Sequence, residues 1–309
     1  MPLGFWRSGH DKLLGLVSEK EKTLMNDNTT KANEFFKDKV VWITGASSGI
    51  GEGLARALAA LSSKVVISAR NAEELDRVYK DCVSQGAEKA DILTIRLDVT
   101  DFDAMPKAVE EVLKRFSKID ILINNAGLGQ RSFAVDTTME VYQRVMDVNV
   151  MGPIALTKAV LPIMIEQQSG HIAVTSSIAG KIGPPLRSGY SAAKHAIMGF
   201  FDALRAEVAF HGVKVSTLVS GVVKTNVVAN ALQGDGSAIG PEEGLMTEGL
   251  TVEEAVEIIV AKLSLEEDEI IIGEGQEVQM MHMKQKDPVA FFRMLEEMAA
   301  AQLHSAGKS

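Results

Sequence analysis

The chain has 309 residues, 46% of them hydrophobic, which is enough length to bury one large core or two small ones. Its formal net charge of −9, with no Lys/Arg cluster to offset it, excludes nucleic acid as a partner. The single cysteine, Cys82, cannot form a disulfide within the chain and fits a reducing, cytoplasmic setting. It reads as a small buried apolar residue.

Residues 1–38 differ in character from the rest of the chain. Residues 1–25 carry Lys12, Glu19, Lys20, Glu21 and Lys22 and no long apolar run, resembling neither a signal peptide nor a membrane anchor. Leu13, Leu14, Leu16 and Val17 have no basic face beside them, so membrane binding is not expected. Residues 26–33 are polar, and the extension as a whole is expected to be loosely ordered. From residue 39 to 273 strands and helices alternate without a Pro/Ser-rich break. Apolar runs at 40–44, 64–68, 92–97, 119–123, 171–175, 213–219 and 269–272 read as strands. Helical spacing fills 49–61, 72–84, 101–116, 138–167, 190–210 and 252–265. This alternation predicts a single α/β domain with a doubly wound, Rossmann-like parallel sheet.

Two segments break the rhythm. Residues 226–250 contain Gly234, Gly236, Gly240, Gly244 and Gly249 and no convincing strand, the mark of a lid loop. The tail at 274–309 carries Met280, Met281, Met283, Met294 and Met298 and ends in a helix over 287–303. Such a methionine stripe reads as packing.

The first strand runs into Thr44-Gly45-Ala46-Ser47-Ser48-Gly49-Ile50-Gly51, which then opens a helix. Glycines there permit a tight turn and let a pyrophosphate approach backbone N–H groups at the helix N-terminus. The spacing is a variant of G-x-G-x-x-G. Gly45, Ser47, Ser48, Gly49, Ile50 and Gly51 are therefore assigned to a dinucleotide. The second strand ends in Ser68-Ala69-Arg70-Asn71, with no acid at its tip to take a ribose 2′-hydroxyl. Arg70 suits a 2′-phosphate instead, which points to NADP(H). Asp98, ending the third strand, is placed for the adenine. Asn125, Ala126 and Gly127, closing the fourth, are placed for the ribose.

Tyr190 and Lys194 are four residues apart and so share one helix face, with Ser177 thirteen residues before the tyrosine. A free tyrosine has a pKa near ~10. A neighbouring ammonium favours its phenolate and makes it a usable general acid/base. With the glycine loop, the pair reads as a nicotinamide-dependent carbonyl/alcohol oxidoreductase.

Together these residues resemble the short-chain dehydrogenase/reductase family over residues 39–272. Thr44-Gly45-x-x-x-Gly49-x-Gly51, Asn124-Asn125-Ala126-Gly127, Asn149, Ser177, Tyr190-x-x-x-Lys194 and Gly221-Val222-Val223-Lys224-Thr225 carry the likeness. Gln130-Arg131-Ser132 and the run from Lys194 to Phe201 look closest to the member-seven type of dehydrogenase/reductase. The resemblance implies that Tyr190 exchanges a proton with a carbonyl oxygen, Ser177 hydrogen-bonds that oxygen, and Lys194 lowers the tyrosine pKa and holds the nicotinamide ribose. It implies that Asn149 holds a water joining Lys194 to solvent and that Thr225 bonds the carboxamide. Relatives of this type include membrane-anchored reductases, a location not expected to carry over. The family's usual Pro-Gly after the sixth strand is here Ser220-Gly221, which is expected to loosen that turn.

Ile182, Pro184, Pro185 and Leu186 suggest an apolar wall and a lipophilic aldehyde or ketone, with a 3-oxoacyl thioester or a sugar as alternatives. Gln130, Arg131 and Arg187 lie in loops that reach toward the same cleft. Apolar residues on several faces of the 138–167 and 190–210 helices, among them Phe200, Phe201 and Leu204, suggest a homodimer or homotetramer. A dinucleotide-binding sensor or scaffold without turnover is the alternative function. Family members of that kind commonly lose the tyrosine or lysine retained here.

Overall fold

Val40, Val41, Trp42, Ile43 and Thr44 are all buried, without the alternation of a strand that has one wet face. Such a strand is covered by helices on both sides. The computed structural model describes residues 30–241 and 248–305. Seven strands form one parallel sheet: β1 (Val40–Thr44), β2 (Lys64–Ala69), β3 (Ile92–Arg96), β4 (Ile121–Asn124), β5 (Gly170–Ser177), β6 (Val213–Ser220) and β7 (Glu269–Ile272). Their order is β3-β2-β1-β4-β5-β6-β7. The chain winds outward from β1 to β3, then restarts at β4 on the other side of β1. This is the expected single-domain, doubly wound, Rossmann-like fold, and its reversal opens a crevice beyond the strand ends of β1 and β4.

Side chains of β1 alternate between two cores. Val41 and Ile43 pack with α1 (Gly49–Ala60), α2 (Ala72–Ser84) and, further along the chain, α7 (Val252–Leu263). Val40 and Trp42 pack on the opposite face with α3 (Met105–Phe116), α4 (Met139–Met146), α5 (Gly152–Gln167) and α6 (Ser188–Val208). Trp42 Nε1 donates to Ser68 Oγ at 2.9 Å, satisfying the one polar atom this large side chain buries.

Several expectations change on contact with the fold. The loose order expected of residues 1–29 lies outside the described residues. Residues 30–36 are helical and bury Ala32 and Phe36 in the first core. The helix expected over 138–167 runs unbroken from Met139 to Gln167, with a π-helical turn at Asp147–Met151 between its α4 and α5 parts. Asn149 Nδ2 enters the helical ladder, donating to the Val145 carbonyl at 2.9 Å. Pro153 lacks the N–H that an α-helix would offer to the Asn149 carbonyl. Phe201 and Leu204 are buried in the second core, so they explain no interface; Ala192, Ala196, Gly199 and Ala203 lie on the exposed face of α6 together with His195, Asp202 and Glu207.

The tail holds two helices rather than one, α8 (Gln276–Lys286) and α9 (Pro288–Ser305). Met280, Met281 and Phe291 close over Ile178, Ile182 and Met198, with Met283, Met294 and Met298 at the margin. The methionines are packing residues. The lid is also less free than its glycines suggest. Leu232 exchanges backbone hydrogen bonds with Gly129 and Arg131, and Thr138 N donates to the Gly234 carbonyl. A Cβ on Gly234 would meet the Asp136 carbonyl group, so this glycine serves close packing.

Candidate active site

A cleft of about 870 Å³ lies along the carboxyl ends of the strands. Every residue assigned from sequence to catalysis or to the dinucleotide lines it, except Gly51. Gly51 stands behind the loop, where a Cβ would meet the Gly45 carbonyl oxygen and lie 2.6 Å from Asn125 Nδ2. Gly45 turns the chain with φ +65°, and a Cβ on it would sit 2.8 Å from Ala126 Cα. The loops after β1 and β4 therefore touch through backbone. Thr44 Oγ1 ties them together, accepting from the Asn125 and Ala126 N–H groups at 3.0 Å each.

Ser48 is the N-cap residue of α1 but makes no side-chain cap, and it is exposed. The first N–H groups of α1 thus lack the side-chain acceptor that usually satisfies them. Glu52 in the first turn is neutralised by Arg77 at 2.7 Å and by Arg56. Arg77 also donates to the Ser47 carbonyl at 3.2 Å, bracing the loop from α2.

At the other end, Asp98 Oδ1 accepts from Thr100 N at 3.0 Å and Thr100 Oγ1 at 2.8 Å. Burial works to raise its pKa, but these bonds and the charges of Arg70 and Arg144 outweigh it, and the carboxyl stays below its usual value. Arg144, on α4, lines the cleft together with Arg70. Sequence reasoning missed it. Its signal was the spacing to Val148, four residues on, which also lines the cleft.

Tyr190 and Lys194 lie on α6, Ser177 ends β5 and Asn149 sits in the π-helical turn. The Ser177 hydroxyl faces the Tyr190 phenol closely enough to pull its pKa down. Burial nonetheless raises the phenol's pKa; Ser177 and the Arg187 charge pull the other way without prevailing. Lys194 Nζ lies 5.6 Å from the centre of the tyrosine ring and donates to the Thr175 carbonyl at 2.8 Å. Burial lowers the pKa of this amine to about 8. The expected lowering of the phenol by Lys194 is thus not what dominates: both groups are governed by desolvation. Asn149 Oδ1 accepts from Leu128 N at 3.2 Å, and Nδ2 donates to Leu128 O at 2.8 Å as well as to Val145. Its side chain is spent on backbone. A Cβ on Gly127 would lie 3.2 Å from Asn149 Oδ1 and 3.7 Å from Lys194 Nζ, which puts the three side by side.

Other sequence assignments fall elsewhere. Ile182 packs under the tail helices, and neither it nor Pro184, Pro185 and Leu186 lines the cleft. Gln130, Arg131 and Arg187 do not line it either. Gln130 is buried, and Oε1 accepts from Gly189 N at 3.1 Å and Tyr190 N at 3.4 Å. It caps α6, which has no side-chain cap of its own. The turn after β6 is not slack: Ser220 Oγ donates to Gly221 O at 3.0 Å, and Gly221 N donates to Ile272 O at 2.8 Å.

A sequence pattern described as short chain dehydrogenase matches residues 39–236, well over half of the chain. The chain belongs to the short-chain dehydrogenase/reductase family. It is 42% identical over 239 residues to human dehydrogenase/reductase SDR family member 7, covering 77% of this chain and 70% of that one. Among solved structures, a short-chain dehydrogenase/reductase from Burkholderia phymatum in complex with NAD is similar at TM-score 0.72 and 25% identity, over 82% of this chain and 94% of that one. An alcohol dehydrogenase from Thermococcus sibiricus, complexed with 5-hydroxy-NADP, is similar at TM-score 0.65 and 27% identity, over 77% and 97%. Oxidoreductases of this family thus include holders of either nucleotide, and the residues of this chain must decide between them.

Proposed function

We propose that the protein is an NADP-dependent reductase of ketones or aldehydes, with Tyr190 as the proton donor. The observation that carries this reading is the meeting of Tyr190, Ser177 and Lys194 in one cleft with the glycine loop. The donor set fits a dinucleotide: a loop whose glycines touch backbone, an uncapped helix N-terminus and a free Ser48 hydroxyl suit a pyrophosphate. Gly45, Ser47, Ser48, Gly49 and Ile50 would hold it. Arg70 would take the 2′-phosphate, Asp98 the adenine, Asn125, Ala126 and Gly127 the ribose, and Thr225 the carboxamide.

Bound there, the reduced nicotinamide supplies the hydride that reaches the carbonyl carbon. Tyr190 gives its proton to the carbonyl oxygen as negative charge builds on it. A phenol whose pKa burial raises keeps that proton at neutral pH, which suits the reducing direction. The Ser177 hydroxyl donates to the same oxygen and stabilises the developing charge. Lys194, with a pKa of about 8, is mostly charged at pH 7 and steadies the phenolate left behind. The Asn149 carbonyl, which has no α-helical donor at Pro153, would accept a water that returns a proton through Lys194. Val223, Val227, Leu232 and Ala238 line the cleft at the lid side and favour a lipophilic substrate. The small residues on the exposed face of α6 support a homodimer or homotetramer, and the lone buried cysteine a cytoplasmic setting.

The test is NADPH consumption against a panel of aldehydes, quinones, steroids and 3-oxoacyl compounds, with NADH and Tyr190→Phe as controls. Turnover with NADPH should fall by about 10²–10⁴ in the variant, the range for losing a general acid. NADPH should still bind. Ordinary turnover by Tyr190→Phe overturns the assignment. Silence of the wild type across the panel, with NADPH bound, favours a sensor.

A further inference from the structure

The turn after β6 carries Thr225 into the cleft, and its rigidity comes from an unexpected quarter. Gly221 N is fixed to β7 through the Ile272 carbonyl at 2.8 Å. The Val222 carbonyl accepts from Leu250 N at 3.1 Å, and Lys224 N donates to Leu250 O at 2.8 Å. The tail reaches the same stretch: Glu277, in the first turn of α8, faces the Val222 backbone with its carboxylate, closely enough for that backbone to pull its pKa down. The same carboxylate crowds the neighbouring residue: a Cβ on Gly221 would lie 3.3 Å from Glu277 Oε2. Any larger residue there would press on the acid and on Ile178. Arg187, which leads into α6, places its charge on both Glu277 and Tyr190.

We propose that Glu277 is a positioning residue for the coenzyme's nicotinamide end, clamping the turn from Gly221 to Thr225 from the C-terminal helix. The inference rests on the reading of the cleft as a nicotinamide site. Physically, a bond between a charged acceptor and a backbone N–H is stronger than a neutral one. The carboxylate is half-buried, and burial raises its pKa against the opposing backbone bonds and the Arg187 charge. Thr225 feels the clamp three residues on, where its Cγ2 lies 3.0 Å from the place of a Gly49 Cβ. Displacing the turn would therefore move the carboxamide end of the site relative to the glycine loop. α8 does not depend on Glu277 for its seat. Met280 and Met281 are buried, and Lys284 Nζ donates to the Lys181 carbonyl at 2.7 Å.

The clamp is tested in the full chain with Glu277→Leu, which removes the acceptor, and Glu277→Gln, which keeps a neutral one. Hydrogen exchange over residues 221–227 is the first readout, because it needs no coenzyme. Exchange there should quicken about tenfold in Glu277→Leu and about threefold in Glu277→Gln, with residues 45–51 unchanged; about 1.4 kcal/mol corresponds to the tenfold step. The second readout compares NADPH with 2′-phospho-ADP-ribose, which lacks the nicotinamide. Glu277→Leu should weaken NADPH about tenfold and leave the truncated ligand within about twofold. Unchanged exchange at 221–227 overturns the clamp, and so does equal loss of both ligands. If Glu277→Leu does not fold, a glutamine variant with wild-type exchange and NADPH affinity decides against the charged clamp. A wild type that binds neither ligand sinks the coenzyme reading instead, and exchange alone then decides whether the clamp exists.

Discussion

Arg70 directly follows β2 with an exposed side chain, and Arg144 faces the same stretch of cleft from the adjacent helix α4. Both charges act on Asp98. A dinucleotide bearing a 2′-phosphate brings two further negative charges to this end, and Arg70 is placed to take them bidentately. Arg70→Gln should therefore raise the KM for NADPH about tenfold while changing that for NADH by less than about twofold. Equal effects on the two coenzymes would mean that Arg70 does not hold the 2′-phosphate. A second prediction concerns Lys194, whose amine is lowered by burial to about 8. Its charge is present below that value and lost as pH rises through it. Carbonyl reduction should accordingly decline above about pH 8 in a kcat/KM profile, and Lys194→Arg, which stays charged, should delete that limb. A limb kept in the arginine variant would assign it to another group. Both residues were legible in the sequence because each stands at a strand end or at helical spacing from a partner. Arg144 was not, since a lone arginine inside a helix looks like any solvated charge until the sheet reversal brings it beside Arg70.

At the scale of elements, strand and helix alternation was readable because parallel strands buried on both faces leave unbroken apolar runs such as Val40–Thr44. The features that escaped were decided by contacts between distant segments. The π-helical turn at Asp147–Met151 arises from one side-chain bond and one proline, neither of which disturbs the apolar spacing that suggested a continuous helix. α8 has no clear amphipathic pattern, because it rests on the body through Met280 and Met281 rather than through a continuous stripe. Gln130 is the sharpest case. Its sequence neighbourhood suggested a contact with substrate, whereas its side chain links two elements: Oε1 holds the N-terminus of α6, and Nε2 donates to Ser132 O at 3.1 Å and Ser132 Oγ at 2.8 Å. Gln130→Leu should leave the α6 N–H groups and the Ser132 acceptors unsatisfied in a buried site, costing about 1–3 kcal/mol. The expected outcome is a melting temperature lower by several degrees together with a reduced kcat, because Tyr190 lies in the first turn of α6. Gln130→Glu retains the acceptor for α6 and should recover kcat more fully than stability. A leucine variant with wild-type kcat and Tm would show that α6 is held by packing alone.

For the molecule as a whole, one buried group ties stability to pH independently of the cleft. His171 lies in β5, the strand next to the sheet's switch point, and is 3% exposed. Its Nε2 is 2.8 Å from Ser216 Oγ, and that hydroxyl spends its only proton on the Glu267 carbonyl at 2.6 Å. Nε2 must therefore carry the ring proton, leaving Nδ1 as a bare lone pair with no partner among the described residues. Protonating Nδ1 would bury a charge with no acceptor. Burial first, and then the charges of Lys39 and Lys214, lower the pKa to about 4, with Asp268 opposing weakly. Because the folded value lies below the ordinary 6.5, the unfolded chain takes up the proton first as pH falls. The contribution is complete above about pH 6.5 and is lost progressively toward pH 4, on the order of 3 kcal/mol across that window. Carboxylates titrate in the same range, so the informative quantity is a difference. The stability of wild type minus that of His171→Gln, from urea unfolding, should shrink by roughly 2–3 kcal/mol between pH 7 and pH 4. A difference that stays constant with pH would mean that the imidazole finds an acceptor for Nδ1 in solution, and that the strands around it open far enough to provide one.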